Sequence, residues 1–475
     1  MRPIPQPLVE QIERRLRQRR VHGLALVAFD VDGPRFGGGV GFADLARGER
    51  VTTDTVFRVA SVSKQLTTAL VLNAVATGLL DLDQPVNDLL PVAQRIVDAD
   101  GHPAAIPLRS LLSHSSGLPS SIRGADLGNP VLTRIANGGT PTSLAEAVTG
   151  LTVERAAGER IVYANSGLNV AGYLAGLAFD TSFEDAAWHR VLEPLGMERS
   201  AFSTRRLGPG TATPYGSIAP PAVGSKSAAA MQLIATPMGG LTSTAQELSR
   251  FGRMVLGGGT LDGERILDEG LVQAASTIEI KNHPDLEQGY GLGFKVRQWR
   301  GRRLVGHDGN MPGVAAKVWM APDHGVGVVV LTNGFALGIP HEVALLALDE
   351  LLGPAPEGSD GGDSAHEPTA AEVQDQIDVG RQVEGRYQVE GAVASGIVGT
   401  LARLTTRVKI VHEAKGLLRV EDDPGSDGPM WLRPEGPPGR YRVSAPVDHG
   451  TNAVFEDRPD GRYLWIAQST LLRPA

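Results

Sequence analysis

Ser61 and Lys64 stand three residues apart in "FRVASVSKQL", ahead of "QLTTALVLNAVATGLL", whose apolar side chains fall on nearly every face of a helix. A lysine at the mouth of a buried helix needs a partner or a task, because stripping water from an ammonium is expensive. The spacing puts both side chains on one helix face, about a turn apart. A serine hydroxyl is a poor nucleophile at neutral pH, and a desolvated amine of lowered pKa can take its proton. The helix N-terminus adds unpaired N–H groups and a positive end, suited to negative charge growing on an oxygen. Serine and lysine at this spacing also occur on solvated helix faces, so the pair needs company. Two further segments offer it. "YANSG" (163–167) places Tyr163 and Asn165 two apart, able to point the same way in an extended segment. "GHDGN" (306–310) precedes a strand and supplies His307, glycines that allow close backbone approach, and a free N–H at Asn310. Read singly, the first is a satisfied buried tyrosine beside a turn, and the second a glycine turn with a surface histidine.

The elements that must position these residues have a clear order. Leu8, Ile12 and Leu16 recur at helical spacing and predict an opening amphipathic helix. "GLALVAFDVDGPRFGGGVGFAD" reads as strand, turn at Asp32-Gly33-Pro34, and returning strand. "GGGVG" at Gly37 to Gly41 lacks a following helix or lysine and is expected as a flexible turn, not a nucleotide cradle. From Ser61 to about residue 275 the pattern is mainly helical, with Ser243 or Thr244 as a cap near its end. Strands return in "YGLGFKV", "RRLVGHDG" and a hairpin turning at Pro322 to Gly325, and "HEVALLALDELL" closes this part as a helix. Strands at both ends with helices between them predict an α/β (α+β) fold, one antiparallel sheet shared by the two ends and flanked by helices. Residues 353–375, rich in Gly, Pro, Ser, Asp and Glu, read as a linker. Beyond it, irregularly spaced "GRYQV", "GRYRV" and "GRYLW" mark short strands of an all-β region over 376–475, a small barrel or sandwich.

The bulk composition narrows the choice. The 475 residues are 41% hydrophobic and 21% charged, with a formal net charge of -8 and scattered basic residues, which speaks against a nucleic-acid or anionic-membrane surface. There are no cysteines, so thiolate chemistry and disulfides are excluded. The first residues carry charge and no apolar core of signal-peptide length, and no long apolar run follows, so a cytoplasmic protein without a membrane partner is expected. No G-x-S-x-G elbow and no H-E-x-x-H is present, and the histidines are dispersed, so no metal or organic cofactor is expected.

In this order, Ser61-x-x-Lys64, Tyr163-x-Asn165 and His307-x-Gly309 resemble the serine β-lactamase and penicillin-binding protein superfamily, specifically its class C β-lactamase, D-aminopeptidase and esterase branch. The likeness runs over about residues 5–350 and includes "GLLDLDQPVNDLLP", "LRSLLSHSSGLP" and "MGGLTSTAQELSRF". It implies a β-lactamase/transpeptidase-like domain at 1–352, with Ser61 as the acylated nucleophile and Lys64 as its hydrogen-bonded amine. Tyr163 would shuttle the proton to the leaving group and activate water, and either Lys64 or Tyr163 could be the base. Asn165 would bind a substrate carbonyl or steady Lys64, and the N–H groups of Ser61 and Asn310 would form an oxyanion hole, whose donors are each worth ~3–4 kcal/mol of barrier. The departure is His307 where β-lactamases carry a lysine. A histidine is largely neutral at pH 7 and grips a carboxylate weakly, although it could gain charge from Asp308. The C-terminal region resembles the lipocalin-like β-domains of D-aminopeptidase-type relatives.

The expected function is therefore a serine hydrolase acting on a D-amino-acid amide or peptide, or on a small carboxylic ester. Its partner is a small molecule or short peptide, with assembly into a homo-oligomer left open. The alternatives are a β-lactamase or D,D-carboxypeptidase, and a catalytically silent binding protein on the same fold.

Overall fold

The structure, a computed structural model, describes residues 1–119, 125–126, 143–202, 210–216, 232–233, 235–334, 338–353, 370–390, 407–413, 417–421, 430–434, 439–444, 452–458, 461–466 and 470–474. An eight-stranded sheet joins two distant stretches of chain. β1 (Gly23–Asp30), β2 (Pro34–Asp44) and β3 (Glu49–Arg50) come from one. β4 (Gly289–Tyr290), β5 (Lys295–Trp299), β6 (Arg302–Met311), β7 (Val314–Ala321) and β8 (Val326–Thr332) come from the other. The spatial order is β4-β5-β6-β7-β8-β1-β2-β3. β1 and β8 join the two stretches as an antiparallel pair within the sheet, with Leu24 opposite Thr332.

Alternation along the strands sorts two cores. Leu24, Leu26 and Ala28 of β1 face α1 (Gln6–Arg19) and α6 (Gly338–Leu352), while Ala25, Val27 and Phe29 face the helical segment inserted between the two halves of the sheet. α1 buries Leu8, Ile12 and Leu16, the stripe its sequence spacing predicts. Within the inserted segment, α2 (Ser63–Ala76) is buried on every side, between α4 (Asn165–Ala178) and the sheet. α5 (Ala245–Leu256) begins with Thr244 as its cap, whose hydroxyl accepts from the N–H of Glu247 at 3.0 Å. The same alternation governs β6: Val305 and Met311 belong to the core on the inserted side, Leu304 to the core on the α1/α6 side. His307 and Gly309 therefore face α2, and Asp308 faces the other way.

Three expectations need correction. Gly37 to Gly41 is not a turn but part of β2, paired with β1 from Gly37 opposite Val27 to Gly41 opposite Gly23. Glycine is needed there because a Cβ at Gly39 or Gly41 would strike the backbone carbonyls of Val51 or His22. "GHDGN" lies within β6 and not ahead of a strand. The region after the sheet is not wholly β: a helix, α7 (Ala370–Val383), starts inside the segment expected to be linker. The rest of that segment, from 354 to 369, lies outside the described residues.

Eight strands follow α7, from Gly385–Glu390 to Thr470–Pro474, and the last pairs with the first, Pro474 opposite Tyr387, to close a barrel. Its interior holds Ile410, Leu418, Val420, Leu432, Tyr441, Ala453 and Leu464, with Val383 of α7 against it. Outside that core, Val454, Tyr463 and Trp465 enclose Leu286, and Arg440 pairs with Glu287 at 3.1 Å. The barrel thus contacts the segment leading into β4.

Candidate active site

A short strand, Phe57–Arg58, leads into a 3₁₀ turn, Ala60–Val62, and then into α2. Ala60 is held left-handed at φ 47°. Ser63 secures this turn: its hydroxyl donates to the Ala60 carbonyl at 2.6 Å and accepts from the N–H of Leu241 at 2.9 Å. Of the two serines beside Lys64, Ser63 is thus buried and committed, while Ser61 is partly exposed. Lys64, with no exposed surface, reaches the Ser61 Oγ at 3.0 Å, the Asn165 Oδ1 at 2.8 Å and the Met238 carbonyl at 2.5 Å. Among the described residues no carboxylate bonds to it. Burial drives its pKa well below that of an ordinary lysine; the charge of Asp308 opposes this and that of Lys295 adds to it.

Hydrogen-bond arithmetic gives this arrangement a chemical meaning. Asn165 Oδ1 and the Met238 carbonyl can only accept, so two of the Lys64 positions must be N–H. The third, toward Ser61, is an N–H in the ammonium form and a lone pair in the amine form. Protonation of Lys64 therefore reverses one bond, the one to the nucleophile, and leaves the other two intact.

Residues 160–164 form an irregular segment, and Asn165 is the first residue of α4. The Tyr163 hydroxyl hydrogen-bonds Ser61, and burial pushes its pKa upward, so the phenol keeps its proton. The Lys64 Nζ lies 4.9 Å from the centre of the Tyr163 ring. Ser61 can thus pass its proton to Lys64 while Tyr163 holds one in reserve.

β6 supplies the opposite wall. Gly309 packs so closely on the Ser61 turn that a Cβ there would collide with the Val59 carbonyl. Met311 and Val314 flank a two-residue turn, so their pair carries ladder bonds and Asn310, one residue back, directs its N–H to the other edge. On that edge β5 has already ended, its first residue Lys295 opposite Gly306. The Asn310 N–H is therefore not used by the β6–β7 ladder. The His307 ring has no exposed surface. Its Nδ1 donates to the Asp308 carbonyl at 2.5 Å, which leaves Nε2 to accept from the Tyr290 hydroxyl, also at 2.5 Å. Burial holds its pKa down at about 3 despite the raising effect of Asp308. The neutrality expected of His307 is thus enforced, and the Asp308 carboxylate is spent on Lys295 at 2.6 Å and Lys317 at 3.4 Å.

All seven residues singled out in the sequence converge here. Three participants escaped that reading. Met238 contributes a backbone carbonyl, which leaves no mark in residue type beyond the two glycines that follow it. Tyr290 and His114 carry the only hint available, an aromatic ring inside glycine- and serine-rich punctuation. His114 stacks on Tyr163 with ring centres 4.2 Å apart.

A family model described as Beta-lactamase matches residues 8–351. The chain belongs to the Beta-lactamase family. Penicillin-binding protein 4 of Amycolatopsis lactamdurans is 28% identical over 338 residues, covering 67% of this chain and 82% of the relative. Esterase EstB of Burkholderia gladioli is 36% identical over 106 residues, 22% of this chain and 27% of the relative. The octameric penicillin-binding protein homologue from Pyrococcus abyssi shares the fold over 98% of this chain and 99% of its own, with a TM-score of 0.61 at 22% identity. Members of this β-lactamase-fold family are typically serine hydrolases, and the polar groups around Ser61 are of the kind such chemistry uses. Outside the site, the half-buried Asp98 and the exposed Asp100 and His102 lie close together. Asp98 Oδ1 already accepts from the N–H groups of Asp100 and His102 at 2.9 Å each. Among the described residues no helix is long and apolar enough to cross a membrane.

Proposed function

We propose that this chain is a serine hydrolase of the class C-like, D-aminopeptidase and esterase branch, cleaving an ester or amide through an acyl-enzyme on Ser61. The observation that carries the reading is the bonding of Lys64: a fully buried amine, bonded to Ser61 and to two carbonyl acceptors, with no carboxylate among the described residues bonded to it. Lys64 takes the Ser61 proton as Oγ attacks the substrate carbonyl. The N–H groups of Ser61 and Asn310 receive the oxyanion. The neutral Tyr163 phenol gives its proton to the leaving alkoxide or amine, so the proton gained by Lys64 balances the one Tyr163 loses. Water then attacks the acyl carbonyl and gives its proton to the Tyr163 phenolate, and Lys64 returns its proton to the Ser61 Oγ as the acid leaves, so all three groups regain their starting state. Asn165 steadies Lys64, and Gly309 gives the substrate backbone room beside β6.

The substrate is a small carboxylic ester or a D-amino-acid amide or short peptide. A neutral His307 with both ring nitrogens engaged supports this over a β-lactam, whose carboxylate calls for a cation at that position. The similarity to an esterase favours the ester. The separate interiors of sheet and barrel support a catalytic domain at 1–352 and a lipocalin-like one at 376–475, joined by 353–375. A cytoplasmic location, and assembly into a homo-oligomer by analogy with the octameric Pyrococcus abyssi homologue, belong to the same reading.

The test is hydrolysis of p-nitrophenyl butyrate, D-alanine p-nitroanilide and nitrocefin by wild type and Ser61→Ala. Turnover of the first two that disappears with Ser61 is the expected result, a loss of about 10³-fold or more. Dominant nitrocefin turnover would move the chain to the β-lactamases, and no turnover of any substrate would make it a silent binding protein.

A further inference from the structure

Tyr163 lies in a segment without helix or strand of its own, so its ring depends on its neighbours for its position. His114 holds it at three points. It follows α3 (Leu108–Leu112) in the left-handed conformation, φ 59°, which is uncommon for a histidine and persists where the surroundings over-determine it. From there its carbonyl accepts from the N–H of Val162 at 2.8 Å, and its ring Nδ1 accepts from the N–H of Ala164 at 3.1 Å. These anchors bracket Tyr163 on both sides along the chain. Between them the imidazole lies against the phenol ring, planes tilted by 30°, and Tyr290 meets the imidazole edge-on at 4.7 Å.

His114 itself does not exchange protons at Ser61. An accepting Nδ1 puts the proton of the neutral ring on Nε2, which is buried without a hydrogen-bond partner among the described residues. Burial keeps the ring neutral, and Lys64 adds to this whenever it carries a proton.

We infer that His114 is the positioning residue for Tyr163, clamping the chain before and after the phenol and its ring between them, so that the hydroxyl stays on Ser61. The inference rests on the acyl-enzyme reading above. A displaced proton donor harms most the substrates whose leaving groups most need a proton, whereas general damage to the fold harms all substrates alike.

The experiment compares ethyl and p-nitrophenyl esters of one acid in two variants. His114→Asn keeps an acceptor and tolerates the left-handed backbone but removes the ring; His114→Phe keeps the ring and removes the acceptor. For His114→Asn the expected result is a loss of about 10-fold or more in kcat/KM, which reports the acylation step, on the ethyl ester, against less than about 3-fold on the p-nitrophenyl ester. His114→Phe is expected to show the same selectivity. On a Tyr163→Phe background neither substitution should add a further loss. Equal losses on both esters, or losses that add to that of Tyr163→Phe, would overturn the inference. A second measurement is independent of turnover: the fluorine NMR line of Tyr163 in protein carrying 3-fluorotyrosine, assigned by its disappearance in Tyr163→Phe. It should be single and sharp in the wild type and broadened or doubled in His114→Asn; an unchanged line width would sink the clamp even with hydrolysis intact. Failure of the acyl-enzyme reading appears separately, as turnover that survives Ser61→Ala.

Discussion

Two buried lysines lie on opposite sides of the same sheet, and one difference in their surroundings separates them. Lys64, on the inserted side, meets a hydroxyl, an amide oxygen and a backbone carbonyl, all of them neutral. Lys317, in β7 on the α1/α6 side, has the Asp308 carboxylate at 3.4 Å and lies 4.3 Å from the centre of the Trp319 ring. Both amines lose water. Lys64 is pushed well below the usual lysine range, while Lys317 descends only to about 8, because Asp308 restores part of what burial removes. Burial alone discharges an amine, and a carboxylate beside it keeps it charged. A base for Ser61 needs the first environment, and an ion cluster that ties strands together needs the second.

The largest change to this contrast should come from removing the carboxylate. Asp308→Asn leaves Lys295 and Lys317 without their counterion, and urea unfolding should show a loss of about 2–3 kcal/mol, at the low end for a broken buried ion pair because Asp308 keeps some water. An unchanged unfolding midpoint would mean that the two ammonium groups find other partners and that the cluster is not held by Asp308.

Asn165→Asp performs the opposite exchange, giving Lys64 the environment of Lys317. The new carboxylate holds Lys64 protonated, so kcat/KM at pH 7 should fall by about 10–30-fold and recover as the pH is raised. A variant equally impaired at every pH would show that Asn165 serves the substrate directly and not Lys64.

The smallest effect is on the pH dependence of stability. His307 titrates near 6.5 when unfolded and is pushed down to about 3 when folded, so the native state binds fewer protons between those values. Its contribution is complete above the unfolded value and is lost as the pH falls toward 3, at up to about 1.4 kcal/mol per pH unit. His114 and His341 are shifted in the same direction, again by burial first. Urea unfolding should therefore give lower stability at pH 5 than at pH 7.5, with a shallower slope in His307→Asn. Equal stability at the two pH values would indicate that these rings reach solvent.

Much of the site was legible because its signals are local. A serine and a lysine three residues apart meet on any helix, and a glycine beside a histidine in a strand marks a close approach. The partners of Lys64 were not legible: Met238 is 174 residues away and contributes only its carbonyl. Composition misled at Gly37 to Gly41, where glycines that suggested a loop are strand residues crowded by the chain of Val51 and His22. It misled again at α7, whose helical Val379 and Val383 are hidden among acidic and small residues until the barrel is there to pack against them.

Helical spacing, strand alternation and the order of three short motifs are properties of neighbouring residues, and they were enough to determine the layers of the sheet domain and the candidates for its chemistry. The proton state of those candidates is another matter. Whether Lys64 is a free amine, His307 a neutral wall and Asp308 a counterion on the far side of β6 depends on which groups lose water together and which charges lie within a few ångströms, and only the packed chain brings those groups together.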